Sequence, residues 1–146
     1  MPPLRVLWEG CKRFREVSLG VRSPMLLVCH LFKVDHTPAT EDDPAIYHSG
    51  EADFSGYAAP QMSGFLPATQ DPLNPDRWVC NCGGPVEFIW QTGGTVGNAI
   101  YGYFWTDEPD HAVLLAGRFD NVPIYLDGPG RRLSFTPVLS ERSEYL

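Results

Sequence analysis

Hydrophobic positions along this chain gather in short β-like runs separated by turn residues, not in long helical stripes. The densest run is Ile100-Tyr101-Gly102-Tyr103-Phe104-Trp105-Thr106-Asp107, with four aromatics and a glycine. A second, Ala112 to Asp120, follows the turn Glu108-Pro109-Asp110-His111. Two β-rich runs joined by a short Pro/Asp turn predict a hairpin. Residues 25–35 form the longest apolar run and predict a buried strand bounded by Pro24. Val86, Phe88 and Trp90 alternate as in a half-buried strand, and Trp78–Cys82 predicts another before Gly83-Gly84-Pro85. Further strands are expected at 51–58, with a bend at Gly56, and at 122–126 and 132–138, joined by Asp127-Gly128-Pro129-Gly130.

The remaining segments read as connectors. Prolines flank the acidic group Glu41-Asp42-Asp43, so residues 36–50 predict a surface loop, not a helix. Residues 66–77 are a second loop with three prolines. Residues 1–23 mix apolar and basic side chains without a clean period, and Pro2, Pro3, Gly10, Gly20 and Pro24 punctuate the stretch into an extended arm. The expected architecture is all-β: one jelly-roll-like or β-sandwich domain at 25–139, an N-terminal arm at 1–24 and a polar tail at 140–146.

Composition supports this picture. The chain has 146 residues, enough for one domain with an ordinary core, and fourteen Gly plus fourteen Pro favour many turns. The net charge of −7 is unevenly spread. Residues 1–33 carry six basic side chains against Glu9 and Glu16, whereas residues 34–110 carry twelve acids and only Arg77. An acidic body repels phosphate backbones, so nucleic acid is not an expected partner. No signal peptide and no apolar run of membrane-spanning length is read, so no membrane association is expected.

Candidate chemistry is sparse. Cys80 and Cys82 in a strand would share one face, but that spacing is too short for a zinc knuckle and no second pair accompanies it. The expected metal set is none, and the expected cofactor set is none. Asp107, Glu108, Asp110 and His111 in one turn offer oxygens to Ca²⁺, yet lack EF-hand spacing and read as a solvated turn. The histidines at 30, 36, 48 and 111 are scattered, and His30 reads as a hydrogen-bonded core residue. No G-x-S-x-G elbow or phosphate loop is present, so the chain is expected to be non-enzymatic. Trp78, Trp90 and Trp105 would make a sugar platform if exposed in a row.

Taken in order, several elements carry a resemblance: Leu31-Phe32-Lys33-Val34-Asp35-His36-Thr37-Pro38, Gly56-Tyr57, Tyr101-Gly102-Tyr103-Phe104, Leu114-Leu115 with Arg118-Phe119, and Leu133-Ser134-Phe135-Thr136-Pro137. From about Met25 to Leu139 the chain resembles a family of small tailed-phage virion structural proteins of the capsid or tail. The first 24 residues, the Cys80/Cys82 pair and the loop at 66–77 depart from it. The resemblance implies a structural component of a phage virion assembled in the host cytoplasm. Foremost is a capsid decoration (cement) protein that bridges major capsid subunits. A tail, neck or baseplate protein, or a receptor- or glycan-binding module of the tail, is the alternative. A homo-oligomer contacting the major capsid protein or other virion proteins is expected. Leu4, Leu7, Trp8, Arg13, Phe14 and Arg15 of the basic arm are the expected contact residues.

Overall fold

A computed structural model describes residues 4–75 and 77–142. In chain order the elements are β1 (Leu4–Val6), α1 (Trp8–Ser18), β2 (Leu27–Phe32), α2 (Ala45–Ser49), β3 (Thr69–Gln70), β4 (Arg77–Asn81) and β5 (Val86–Ile89). Then come β6 (Asn98–Ile100), β7 (Gly102–Asp107), β8 (Ala112–Arg118), β9 (Ile124–Leu126), β10 (Arg132–Phe135) and β11 (Val138–Arg142). The fold is broadly all-β, with several sheets and no barrel.

The expected hairpin is the centre of the molecule. β7 and β8 pair antiparallel from Gly102↔Arg118 to Asp107↔Ala112, and β2 and β1 flank them in the order β1-β8-β7-β2. Every residue of β7 is buried, because this sheet is covered on both faces. On one face Cys29, Leu31, Tyr103, Trp105 and Leu115 meet Phe54, Met62, Val86, Phe88 and Trp90. On the other, Phe32, Phe104, Val113 and Ala116 meet Leu7 and Tyr47, the latter supplied by α2. Glycine is needed where aromatic rings cross the strands. A Cβ at Gly102 would overlap the Gly117 carbonyl oxygen and come within 2.6 Å of the Phe32 ring, and one at Gly117 would lie 2.6 Å from the Tyr103 ring.

A bulge organises the N-terminal edge. Trp105 pairs with Leu115 but Thr106 pairs with Val113, which leaves Leu114 as an extra residue on β8. Its carbonyl accepts the Leu7 N–H at 2.9 Å, just where β1 stops and α1 begins. From there α1 runs beside β8 and covers the sheet edge that the three-residue β1 leaves open. Gly10 permits the approach, since a Cβ there would overlap the Leu114 carbonyl oxygen and lie 3.0 Å from Val6 Cγ1.

These contacts overturn the arm. Residues 4–18 are an edge strand and a helix built into the main sheet, not an extended segment. Residues 1–3 of that expectation lie outside the described residues.

Other expectations change in detail. The acidic loop contains the short α2. Residues 51–58 form no strand. They meet β2 at a single bridge, Phe32↔Glu51, then bond to the 91–98 stretch through Asp53 and Ser55 before Gly56 turns the chain at φ +87°. The 66–77 loop contains β3, with Asp76 outside the described residues. The start of the expected tail is strand: residues 138–142 are β11, paired with β4, and residues 143–146 lie outside the described residues. β4 lies between β11 and β3, and β5 pairs with β10.

Candidate functional site

Of the six contact residues expected from sequence, four are absorbed by the fold. Leu7 is 2% exposed and Arg13 6%, while Leu4 and Phe14 are half-buried against the larger core cluster. Only Trp8 and Arg15 face outward. Glu9 in the first turn and Arg15 in the last suit the helix dipole, and Gly20 at φ +73° ends the helix in the left-handed conformation glycine favours.

Arg13 explains why the basic segment is not a free latch. Its guanidinium donates to Glu9 Oε1 at 2.6 Å, Asp107 Oδ2 at 2.8 Å and both carboxylate oxygens of Asp110 at 2.5 and 3.0 Å. Hydrogen bonds from Arg13 hold the Asp110 carboxyl down at about 2, below the ordinary 3.8. Asp107 also accepts the Leu26 N–H at 3.2 Å, so the same carboxylate ties α1, the approach to β2 and the β7–β8 turn together. The turn that offered oxygens to Ca²⁺ has therefore committed Asp107 and Asp110 to a guanidinium. Among the described residues, no group of three or more His, Cys, Asp or Glu is placed to hold a metal ion.

A second polar network crosses β2 and β7. His30 Nδ1 lies 2.6 Å from Glu51 Oε1, and its Nε2 lies 2.7 Å from Thr106 Oγ1. Tyr57 donates its hydroxyl to the same Glu51 oxygen at 2.9 Å. Burial pushes the Glu51 carboxyl up, but bonds from His30 and Tyr57 outweigh it and leave the group below its usual range. The order hydroxyl, imidazole, carboxylate is that of a nucleophile triad. Thr106, however, is 0% exposed, and its hydroxyl also donates to Glu108 at 3.2 Å. The imidazole stacks on Phe104 with ring centroids 4.7 Å apart, as a hydrogen-bonded core residue.

None of the four cysteines takes part in a disulfide. Cys80 and Cys82 donate separately to the Leu66 and Ser63 carbonyls, at 2.9 and 3.4 Å. The tryptophans do not form an exposed row: Trp90 is 6% and Trp105 0% exposed, against 45% for Trp78.

Large apolar side chains reach solvent in two groups, besides Leu26, Ile89, Val96 and Tyr125, which are also exposed. One is the outer side of α1 and the chain after it, with Trp8 at 70%, Leu19 at 79% and Val21 at 75% exposure. The other is the β3–β4 hairpin, with Leu66 at its base, Leu73 at its tip and Trp78 on β4. Among the described residues from Ser63 to Asn81 no side chain is buried. Asp71 shapes the tip by accepting the Leu73 N–H at 2.9 Å, and β11 braces β4 along five residue pairs. Sequence reasoning saw this segment as a proline-rich loop. Its one signal was the pairing of three prolines with Leu66, Leu73 and Trp78, large apolar residues that a solvated loop does not need.

Among the described residues, no helix is long and apolar enough to cross a membrane. Comparison with protein-family models, curated proteins and solved structures returns no match to this chain.

Proposed function

We propose that this chain is a non-enzymatic structural component of a tailed-phage virion, a capsid decoration protein that bridges neighbouring capsid subunits. The observation that carries the reading is the β3–β4 hairpin. It contributes no buried side chain, yet it is braced by β11 and displays Leu66, Leu73 and Trp78 to solvent. Exposed apolar groups on a strand-braced element suit a protein contact, because less backbone entropy is lost when they are buried. The resemblance of residues 25–139 to tailed-phage structural proteins supplies the setting, with the major capsid protein as the partner.

The block behind the hairpin we read as a β-sandwich. The main sheet packs through Tyr103 and Trp105 onto β5 and β10, with Tyr103 and Phe135 ring centroids 5.2 Å apart and Phe88 and Trp90 in the same cluster. The test is binding of the full chain to empty heads, comparing the parent with Leu73→Ser and Trp78→Ser. Both positions are exposed, so the variants are expected to fold and to lose binding. Undiminished binding by the double variant would remove the hairpin from the contact.

A further inference from the structure

We infer that the surface centred on Trp8 is a two-fold contact between two copies of this chain. Trp8 opens α1 with its side chain 70% exposed, and its backbone N–H donates to the Thr40 carbonyl at 3.3 Å. That bond sets the acidic loop beside the start of the helix. The loop is held in place by Asp42, which accepts from His36 Nε2 at 2.7 Å, the Tyr47 hydroxyl at 2.7 Å and the Ala39 N–H at 2.8 Å. Glu41 and Asp43 on either side of it are exposed.

Along the helix, Lys12 and Arg15 follow Trp8 at intervals of four and seven, on the same outward stripe. The Lys12 side chain is 60% exposed and reaches Glu16 only at 4.0 Å, whereas Glu9 is occupied by Arg13 at 2.6 Å. The patch thus has a basic half, an indole and an acidic half, all on elements fixed to the core.

Such a patch is complementary to itself under a two-fold rotation. An isologous contact brings residue i against residue j and j against i, so Lys12 of each copy meets Glu41 of the other while the two indoles share the centre. Packing the outer α1 stripes directly against each other would instead oppose Lys12 and Arg15 with the same cations, which is unfavourable. Exposed ion pairs contribute little each. The indole burial supplies most of the affinity, and the charges fix the register.

The experiment is light scattering and sedimentation of the full chain across concentration and salt. The expected wild type is a dimer that weakens with salt. Lys12→Glu alone places acid against acid twice, and Glu41→Lys alone places base against base twice. Each is expected to raise the dissociation constant roughly tenfold or more while leaving the urea midpoint unchanged when it is taken at a concentration where the chain is monomeric. Mixing the two single variants restores opposite charges at both contacts and is expected to give a heterodimer. A wild type that stays monomeric at every concentration, single variants that dimerise like the parent, or a mixture that does not associate would each overturn the inference. It stands apart from the virion reading: a dimer that ignores heads refutes only that reading, and a monomer that binds heads refutes only the dimer.

Discussion

Replacing Gly10 by alanine sets two effects against each other, and the structure decides the sign. In an open helix, Gly→Ala stabilises by about 1 kcal/mol. Here the added Cβ would overlap the Leu114 carbonyl oxygen, come within 2.8 Å of its carbon and lie 3.0 Å from Val6 Cγ1. The obstacle is backbone at a bulge, so no side-chain rotation relieves it. α1 must lift from β8, which stretches the Leu7 N–H bond to Leu114 and strains the contacts of Arg13. Overpacking costs about 1–3 kcal/mol and a weakened hydrogen bond about 0.5–1.5 kcal/mol. After the helix gain is subtracted, a net loss of roughly 0.5–3.5 kcal/mol remains. Urea unfolding followed by tryptophan fluorescence measures it as a lower midpoint at unchanged slope. Ser18→Ala, on the exposed side of the same helix and outside the proposed dimer contact, is the control and is expected to stay within about 0.5 kcal/mol of the parent. A Gly10→Ala protein as stable as the parent, or more so, would show that α1 does not press on the bulge.

Arg13→Gln is expected to be the costlier change. It leaves Asp107, whose side chain is 8% exposed, without its cation, and breaking such a buried pair costs about 3–5 kcal/mol by urea or thermal unfolding. Asp110 gives the pH dependence its sign. Its folded value of about 2 lies below 3.8, so the stabilisation is present above the unfolded value and is lost as pH falls through about 2. The urea midpoint is expected to drop between about pH 5 and pH 2, and Asp110→Asn to flatten that drop. A steeper fall in the variant would contradict the assignment. His111 sits in the turn at φ +56°, a conformation that glycine adopts without strain. His111→Gly is therefore expected to stabilise by about 0.5–1 kcal/mol, less the 3.2 Å contact with Glu108, and a clear destabilisation in the same assay would count against it.

Local patterning carried part of this fold. The β7–β8 hairpin was legible because its aromatic runs and its turn are adjacent in sequence. Val86, Phe88 and Trp90 were legible because their alternation matches the pleat, with Glu87 and Ile89 outside. α1 was not. Its buried side is Gly10 and Arg13 with half-buried Phe14 and Val17, in place of the apolar stripe that usually marks a helix. Arg13 belongs inside only because Asp107 and Asp110 wait 94 and 97 residues downstream. Gly10 reads as a breaker until the Leu114 carbonyl is placed against it. The same holds for β11, whose pairing with β4 joins residues some sixty positions apart and leaves no local period to read. Of the expected contact residues, Trp8 and Arg15 keep their exposure. The β3–β4 hairpin emerged only when its described residues proved to have no buried side chain.

The most direct test of the assembly reading is a count of this chain in purified phage particles by quantitative mass spectrometry. A decoration protein is expected at a copy number comparable to that of the major capsid protein, and retained on emptied heads. A handful of copies would move the chain from the capsid to the tail, and its absence from the particle would contradict the account.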